Sequence, residues 1–135
     1  MEHCIFTRAF SATSAGGLCS GLGSAGPRLT DEQLLFHFGR HQRLKNKHPT
    51  ALVSVSDRII DTLRRAFNKH YKDGESPEDI YIIFVKTLGN LNGIAIHSAR
   101  DLAKKGQNSK SNQFMHEFLF EWAIPEKYVV HTISV

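Results

Sequence analysis

Apolar and polar positions recur with two different periods along the chain, and these periods predict which segments are strands and which are helices. Short runs rich in β-branched and aromatic residues predict strands, whereas apolar residues three or four positions apart predict helices. Predicted strands cover residues 4–10, 51–56, 80–85, 116–124 and 128–135, and predicted helices begin at residue 31 and cover residues 57–71 and 96–105. Because the helices fall mainly in the first two thirds of the chain, we expect an α+β domain with a mixed or antiparallel sheet.

The predicted helices have recognisable ends and inward faces. Thr30, followed by the acidic residues and glutamine of 31–33, is a capping-box pattern that starts the first helix. Ser56 or Asp57 is positioned to cap the second helix. The residues expected to face the core are Leu34, Leu35, Phe38 and Leu44 in the first helix, Ile59, Ile60, Leu63, Ala66 and Phe67 in the second, and Ala99, Leu102 and Ala103 in the third. The basic residues expected on the solvent side of the second helix are Arg58, Arg64, Arg65 and Lys69.

Carboxylates lie along an otherwise apolar, strand-forming stretch at residues 116–125. Side chains alternate across a strand, so one face carries Phe118, Phe120 and Trp122, and the other carries Glu117, Leu119 and Glu121. We expect the aromatic face to lie in the core. The face with the two glutamates either lines a cleft or meets water, and the pattern alone leaves both possibilities open.

Length and composition are those of a single globular domain. The 135 residues, 41% apolar and 22% charged, suffice for one domain over residues 1–135. A net charge of +4 favours an anionic ligand, but it is too small for a dedicated nucleic-acid binder. No apolar run reaches membrane-spanning length, and residues 1–8 lack the layout of a signal peptide. We therefore expect a soluble intracellular protein with no membrane partner.

Residues 11–29 are rich in Ser, Ala and Gly and are expected to form a flexible loop. Within this loop, residues 21–26 spell the Gly-x-Gly-x-x-Gly pattern of dinucleotide-binding loops. Such a loop should directly follow a strand, but the nearest predicted strand ends about ten residues earlier and Pro27 follows the last glycine, so a Rossmann site is not expected. Cys4 and Cys19 are expected to be unpaired thiols, with one disulfide bridge as the alternative.

Histidines and basic residues of the first helix suggest two further kinds of site. His37 and His41 lie one helical turn apart, a spacing that suits zinc, with His48 and His97 as conceivable third ligands. The glutamate that metalloproteases place beside the first histidine is absent, so we expect packed or solvated histidines and no metal. The basic run at residues 40–48 suits phosphates, but it lacks aromatic residues for stacking bases. We expect a solvated helix end there.

Covalent nucleophile chemistry has no support, because no Gly-x-Ser-x-Gly motif occurs and neither cysteine has a companion histidine at a recognisable spacing. What remains is Arg8 in the first strand, the Ser-Val-Ser segment at residues 54–56, and Glu117. In this order they resemble the Arg, Ser-Thr-Ser and Glu landmarks of the ADP-ribosyltransferase toxin-like fold. The nearest resemblance is to small, poorly characterised fungal domains of that fold, which share a Phe-Arg strand, a Val-Ser-Val segment and a Glu-Phe-Leu…Ile-Pro close.

The resemblance implies an ADP-ribosyltransferase-like architecture with NAD as the substrate. In that family the Arg anchors NAD, the serine strand shapes the nicotinamide pocket, and the Glu binds the nicotinamide ribose and stabilises an oxocarbenium-like transition state. These roles fall to Arg8, to Ser54 with Ser56 on the same face, and to Glu117. Glu121 is the rival carboxylate, for which we expect a rim or substrate contact.

Two positions depart from the family pattern. Val55 stands in place of the middle Thr of the serine motif, a change that keeps Ser54 and Ser56 on one face. Members that modify protein side chains often carry Glu or Gln two residues before the catalytic Glu, where this chain has Met115. Transfer to arginine is therefore not expected, and the acceptor of ADP-ribose is not identified by the sequence.

The sequence thus predicts an NAD-binding domain that transfers ADP-ribose or hydrolyses NAD, with NAD between the first two strands and the strand of Glu117. One alternative is a catalytically inactive descendant of the fold that acts as a protein-interaction module. The other is a phosphate-binding or RNA-binding module that uses residues 40–47.

Overall fold

The structure is a computed structural model that describes residues 3–11, 17–42, 49–88 and 96–135. Within these ranges it contains six strands and three helices. The strands are β1 (His3–Ser11), β2 (Leu52–Ser56), β3 (Ile80–Leu88), β4 (Ile96–Ser98), β5 (Glu117–Glu121) and β6 (Val129–Ser134). The helices are α1 (Asp31–His41), α2 (Ile59–Tyr71) and α3 (Ala99–Lys105). The predicted order is confirmed except at residues 96–98, which pair with β5 as a short strand instead of starting a helix.

All six strands belong to one sheet in the order β4-β5-β2-β1-β3-β6. Each neighbouring pair is antiparallel, so the predicted α+β class is confirmed. β1 pairs with β3 along its whole length, and β2 pairs with β5 along its whole length. β1 and β2, however, share only the pair Thr7↔Ser56. The sheet therefore consists of two fully paired parts that are joined at one point.

The three helices pack on one face of the sheet. α1 and α3 lie over β2 and β5, where their buried residues surround Leu52 and Leu119. α2 lies over β1 and β3, where Ala66 is buried against Ala9. The residues that alternate with these form a core cluster on the opposite face: Phe6, Val53, Val55, Ile83, Val85, Phe120 and Ile124. Because α1 packs on β2 and α2 on β1, the two helices flank the point where these strands separate.

The inward face of α2 differs from the prediction. Its buried residues are Thr62 and Ala66. Three residues expected in the core are instead 44% to 49% exposed: Ile59, Ile60 and Phe67. Small residues face the sheet because the helix approaches β1 closely, with the hydroxyl oxygens of Thr62 and Thr7 2.6 Å apart. The apolar period therefore predicted the helix correctly, and Ala66 and Leu63 pack against the sheet as expected, but the three larger residues do not.

The ends of α1 and α3 have side-chain caps. The predicted capping box is confirmed, since the Thr30 hydroxyl accepts from the Gln33 amide at 3.2 Å and the Gln33 side chain accepts from the Thr30 amide at 2.9 Å. Ser98 caps α3 by accepting from a first-turn amide. α2 instead has Arg58 at the N-cap, with no side-chain cap, so neither predicted cap is in place. The core residues predicted on α1 and α3 are buried or partly buried: Leu34, Leu35, Phe38, Ala99, Leu102 and Ala103. Leu44 lies outside the described residues.

Trp122 leaves the aromatic face of β5. The strand ends one residue earlier, and Trp122 has a φ of 68°, which breaks the alternation of side chains. Its ring packs against the cluster beneath α1 and α3, whereas Phe118 and Phe120 belong to the opposite cluster. Its amide donates to the Ala51 carbonyl and its carbonyl accepts from the Ser20 amide, both at 2.6 Å. The expected sharing of one face by all three aromatic residues is therefore wrong for Trp122.

Residues 17–29, called the docked segment below, are irregular and bound to the end of β5. The Ile124 amide donates to the Leu18 carbonyl at 2.8 Å, and the Trp122 indole donates to the Pro27 carbonyl at 3.0 Å. Gly26 lies so close to the indole that a Cβ at this position would overlap the ring. These contacts give the segment a defined arrangement. Residues 12–16 of the predicted loop lie outside the described residues, and its flexibility stays a prediction. Its Gly-x-Gly-x-x-Gly motif starts no helix, because α1 begins only at residue 31.

Cys4 and Cys19 are unpaired, as expected. Cys4 is exposed and Cys19 is partly exposed. Among the described residues, no helix combines the length and the apolar character needed to cross a membrane.

Candidate functional site

The separation of β1 from β2 is spanned by the side chain of Arg8. Its Nε donates to the Gly17 carbonyl and its Nη1 to the Ser54 carbonyl, both at 2.9 Å. Burial, with a smaller contribution from the charge of Arg65, lowers the pKa of Arg8 to about 10, so the guanidinium stays charged at neutral pH. Arg8 therefore takes the place of missing ladder hydrogen bonds and brings a positive charge to the opening.

Ser54 and Glu117 meet on the helix-covered face of two neighbouring strands. In the register of β2 and β5, Ser54 lies opposite Leu119 and Glu117 lies opposite Ser56, so Ser54 and Glu117 are diagonal neighbours. The Ser54 hydroxyl donates to Glu117 Oε2. Ser54 is 4% exposed, whereas Glu117 is partly exposed. A buried hydroxyl therefore orients a carboxylate that still reaches the surface, and Ser54 links Arg8 to Glu117.

His41, the last residue of α1, extends this hydrogen-bonded chain behind Ser54. Its Nε2 is 3.2 Å from Ser54 Oγ, and its Nδ1 is 3.0 Å from Thr50 Oγ1. Burial lowers the pKa of His41; the negative charge of Glu117 opposes this shift and two nearby arginines add to it. The ring is therefore neutral at pH 7. Because Ser54 donates its one hydroxyl proton to Glu117, it accepts from His41, so Nε2 carries the ring proton and Nδ1 accepts from Thr50.

A cleft opens in front of Glu117. It has one cavity of about 580 Å³, lined by Glu117, and a second of about 400 Å³, lined by His41. Arg8, Ser54 and Arg65 line both cavities, which are therefore two arms of one cleft that meet at these side chains. Each arm is large enough for a small organic ligand.

The walls of the cleft carry an excess of positive charge. Arg58 at the N-cap of α2, and Arg64 and Arg65 within the helix, were predicted to face bulk solvent but line the first arm. Arg58 is paired with Asp61, with Nη2 and Oδ1 2.8 Å apart. Arg64 and Arg65, in contrast, make no hydrogen bond or ion pair with any described residue of the chain. The cleft therefore favours an anionic ligand.

Two further predicted residues lie at the first arm. Ser56 lines it, and its hydroxyl is bonded locally to the backbone of Arg58 at the start of α2. Met115 lines it as well and is 44% exposed. Ser56, which was predicted to bind the ligand, therefore lies at the cleft, but its hydroxyl is bonded to the backbone of Arg58.

Glu121 lies on the same strand face as Glu117 but does not line the cleft. Its side chain is 3% exposed. One carboxylate oxygen accepts from the Leu29 amide at 2.7 Å; the other accepts from His97 Nε2 at 2.7 Å and lies 3.8 Å from Arg28 Nε. A carboxylate whose two oxygens are occupied by protein groups and closed to solvent has no surface for a ligand. This placement is at odds with the rim or substrate contact expected for Glu121.

The histidines considered as zinc ligands have other partners. His37 Nδ1 accepts from the Ala51 amide at 3.2 Å, His41 lies behind Ser54, and His97 contacts Glu121. No group of three potential metal ligands occurs within the described residues. His48 and most of the basic run, residues 43–48, lie outside them.

Sequence reasoning missed the roles of His41 and Arg65. Both depend on how α1 and α2 cross the sheet, which no local pattern records. The only sequence signal for His41 is its position at the end of the helix that precedes the serine strand, and for Arg65 its charge on a helix that follows that strand.

Comparison with known proteins identifies the fold and the family. The structure is similar to EcPltA, an ADP-ribosyltransferase-like toxin, with a TM-score of 0.59 and 12% identity over 95% of this chain and 73% of that chain. At this identity the similarity shows the fold alone, and the predicted ADP-ribosyltransferase-like fold is confirmed. No curated protein matches the sequence significantly. The resemblance to fungal domains stays a prediction. The model of the family DUF7587, described as a domain of unknown function, matches residues 6–135, so the chain belongs to this family.

Proposed function

We propose that the domain binds NAD in its cleft and cleaves the bond between nicotinamide and ribose, passing ADP-ribose to water or to an acceptor. One observation supports this proposal: the buried Ser54 hydroxyl holds Glu117 at the wall of a cavity that is also lined by Arg64 and Arg65, which form no ion pair with the described residues. The ADP-ribosyltransferase-like fold supports it.

The reaction requires a negative charge at a defined point. When the bond from C1′ to nicotinamide breaks, the electron pair leaves with nicotinamide and the ribose becomes positively charged. A preorganised carboxylate beside C1′ stabilises that charge electrostatically, and it also accepts a hydrogen bond from a ribose hydroxyl. Water then forms the new bond to C1′ and loses one proton, giving ADP-ribose. A hydroxyl, thiol or amine acceptor would replace the water and lose its proton in the same way.

In this mechanism Ser54 and His41 are positioning residues. Neither touches the reacting atoms; Ser54 orients the carboxylate of Glu117, and His41 orients Ser54. Because the donor directions run from Thr50 through His41 and Ser54 to Glu117, each hydrogen bond in the chain polarises the next.

Arg8 supplies the anchor for the dinucleotide. Its Nε and one Nη1 hydrogen are bound to backbone carbonyls, which fixes the plane of the guanidinium. The remaining N–H groups suit the paired oxygens of a phosphate.

In this proposal, the group that accepts ADP-ribose is not an arginine side chain. Met115, at the position where arginine-modifying relatives often have Glu or Gln, lines the first arm with an apolar side chain. Its thioether is only a weak hydrogen-bond acceptor and does not take a proton from a guanidinium. Water or another nucleophile is therefore the proposed acceptor.

The test is nicotinamide release from NAD by the wild type, by Glu117→Gln and by the control Glu126→Gln, an exposed carboxylate away from the cleft. Calorimetry measures NAD binding by each protein. We expect Glu117→Gln to bind NAD with little change but to lose a factor of about 100 to 1,000 in turnover, as when one electrostatic stabiliser of a transition state is removed. Glu126→Gln should match the wild type.

Two outcomes would contradict the proposal. If the wild type and Glu117→Gln release nicotinamide equally, Glu117 has no catalytic role. If the wild type neither turns over nor binds NAD, the protein-interaction module becomes the better interpretation. RNA affinity that falls steeply with salt and disappears on neutralising Arg43, Lys45 and Lys47 would instead favour the third interpretation.

A further inference from the structure

The side chain of Arg65 stands where the two arms of the cleft meet. It shares this position with Arg8 and Ser54, since all three line both cavities. The two guanidinium groups are close enough for the charge of Arg65 to lower the pKa of Arg8. Two like charges at one point repel each other, and Arg65 forms no ion pair with any described residue. An anion bound between them would remove this repulsion.

We infer that Arg65 and Arg8 together bind the diphosphate of the dinucleotide, and that this pair directs its nicotinamide half into the first arm and its adenosine half into the second. The inference rests on the proposed function for the identity of the ligand. It adds a second phosphate-binding residue and a direction to that function.

The residues that line the two arms support this orientation of the dinucleotide. Glu117 lines the first arm only, so the ribose that is cleaved lies there. The second arm has the partly buried ring of Phe10 and the polar side chains of Asn68 and Asp73. An aromatic ring with an amide and a carboxylate suits a nucleoside, which presents a flat base, ring nitrogens and ribose hydroxyls.

The positions of the two arginines also predict that a diphosphate binds more tightly than a single phosphate. Arg8 comes from β1, and its orientation is fixed by two backbone carbonyls. Arg65 comes from α2, the helix that packs on β1, and its side chain is exposed. A single phosphate satisfies one guanidinium, whereas two linked phosphates reach both. We therefore expect ADP to bind at least about tenfold more tightly than AMP, as each charge-assisted hydrogen bond contributes about that factor.

The test is calorimetric titration of the full chain with ADP and with AMP. The proteins are the wild type, Arg65→Gln, Arg65→Lys and the control Lys72→Gln, which removes one positive charge from the same helix region but lines neither arm. Arg65→Gln should weaken ADP binding about tenfold or more and AMP binding much less. Arg65→Lys should recover part of the loss, and Lys72→Gln should stay within about twofold of the wild type. Far-UV circular dichroism checks that α2 is intact.

The direction is tested with Asn68→Ala against ADP and nicotinamide mononucleotide. Weaker binding of ADP alone supports the assignment of adenosine to the second arm. Weaker binding of nicotinamide mononucleotide alone, or no change in either, overturns that assignment.

Failure of this inference and failure of the proposed function give different results. If NAD is bound and cleaved but Arg65→Gln binds ADP like the wild type, the inference is overturned and the proposed function stands. If ADP binding depends on Arg65 but no nicotinamide is released, the diphosphate site stands and the enzymatic proposal fails. A wild type that does not bind ADP overturns the inference outright.

Discussion

Glu117 and Glu121 lie four residues apart on the same face of β5, yet their surroundings have little in common. Glu121 is closed to solvent and bonded to Leu29 and His97. Glu117 has the Ser54 hydroxyl on one oxygen and lines the cleft. At the Glu121 end, the docked segment and β4 cover the strand. At the Glu117 end, the same face borders the first arm of the cleft, so it opens to solvent.

The comparison shows that the fold, rather than the local sequence, decides what a carboxylate does. A fully bonded carboxylate fastens distant segments to each other. A carboxylate with one fixed oxygen and an open side is oriented but still accessible, which is what electrostatic catalysis requires. The expected effect of changing either residue therefore differs in kind: stability for Glu121 and turnover for Glu117.

The largest stability effect should come from Glu121→Gln. The change removes the charge that the Leu29 amide and His97 bind, and it turns an amide N–H₂ toward a donor. We expect the free energy of unfolding to fall by about 3 kcal/mol. Glu117→Gln, at a partly exposed site, should cost less than about 1 kcal/mol. Urea denaturation of both variants measures the difference, and equal losses would remove the contrast between the two glutamates.

A somewhat smaller effect is expected from Gly26→Ala, which tests the docking of residues 17–29 beside Glu121. The new methyl group would overlap the Trp122 ring, so one of the two must move, at a cost of about 2 kcal/mol. Gly39→Ala is the matched control, because a Cβ there meets nothing within 4 Å and Gly39 lies inside α1. That variant should gain about 0.5–1 kcal/mol. Thermal unfolding followed by circular dichroism compares them, and a neutral Gly26→Ala would mean that the docked segment contributes little.

Ser54→Ala tests whether the catalytic role proposed for Glu117 depends on its hydrogen bond from Ser54. It removes the hydroxyl that orients Glu117 but leaves the carboxylate in place. We expect turnover to fall roughly tenfold, about 1.4 kcal/mol, with KM nearly unchanged, because in the proposed mechanism Ser54 orients Glu117 and makes no bond to the substrate. Ser134→Ala, an exposed serine of β6, is the control. A Ser54→Ala variant with wild-type turnover would show that Glu117 needs no such support.

The smallest effect concerns pH and His41. Burial lowers the pKa of His41 in the folded state below 6.5, so the unfolded chain takes up the proton first as the pH falls. This group therefore contributes nothing above about pH 6.5, and it destabilises the fold progressively as pH drops from there through the folded-state pKa. Urea denaturation at pH 7.5 and 5.5 should show a smaller loss for His41→Gln than for the wild type. Exposed His131→Gln should lose as much as the wild type, and an equal loss in His41→Gln would contradict the assignment.

Much of the fold is predictable because it depends on local patterns. The capping box at Thr30 and the apolar run that begins at Ile80 are encoded by neighbouring residues, and both are observed. Arg8, Ser54 and Glu117 could be selected because each lies in a clear strand segment and their order matches a known family. The structure brings these three side chains together.

The rest depends on contacts between distant segments. Nothing local distinguishes Glu121 from Glu117, because Leu29 lies 92 residues away and His97 lies 24 residues away. The packing side of α2 follows from the close approach of Thr62 to Thr7, which favours small residues over the larger apolar ones. His41 reaches Ser54 only because α1 crosses β2.

Trp122 is the one tryptophan of the chain, and its indole N–H is bonded to a carbonyl of the docked segment. Its emission spectrum is therefore an intrinsic, label-free reporter of that one contact. Detachment of the segment would expose the indole to water and shift its fluorescence to longer wavelength while the sheet stayed folded. The same residue that ends β5 thus allows local opening to be observed separately from global unfolding.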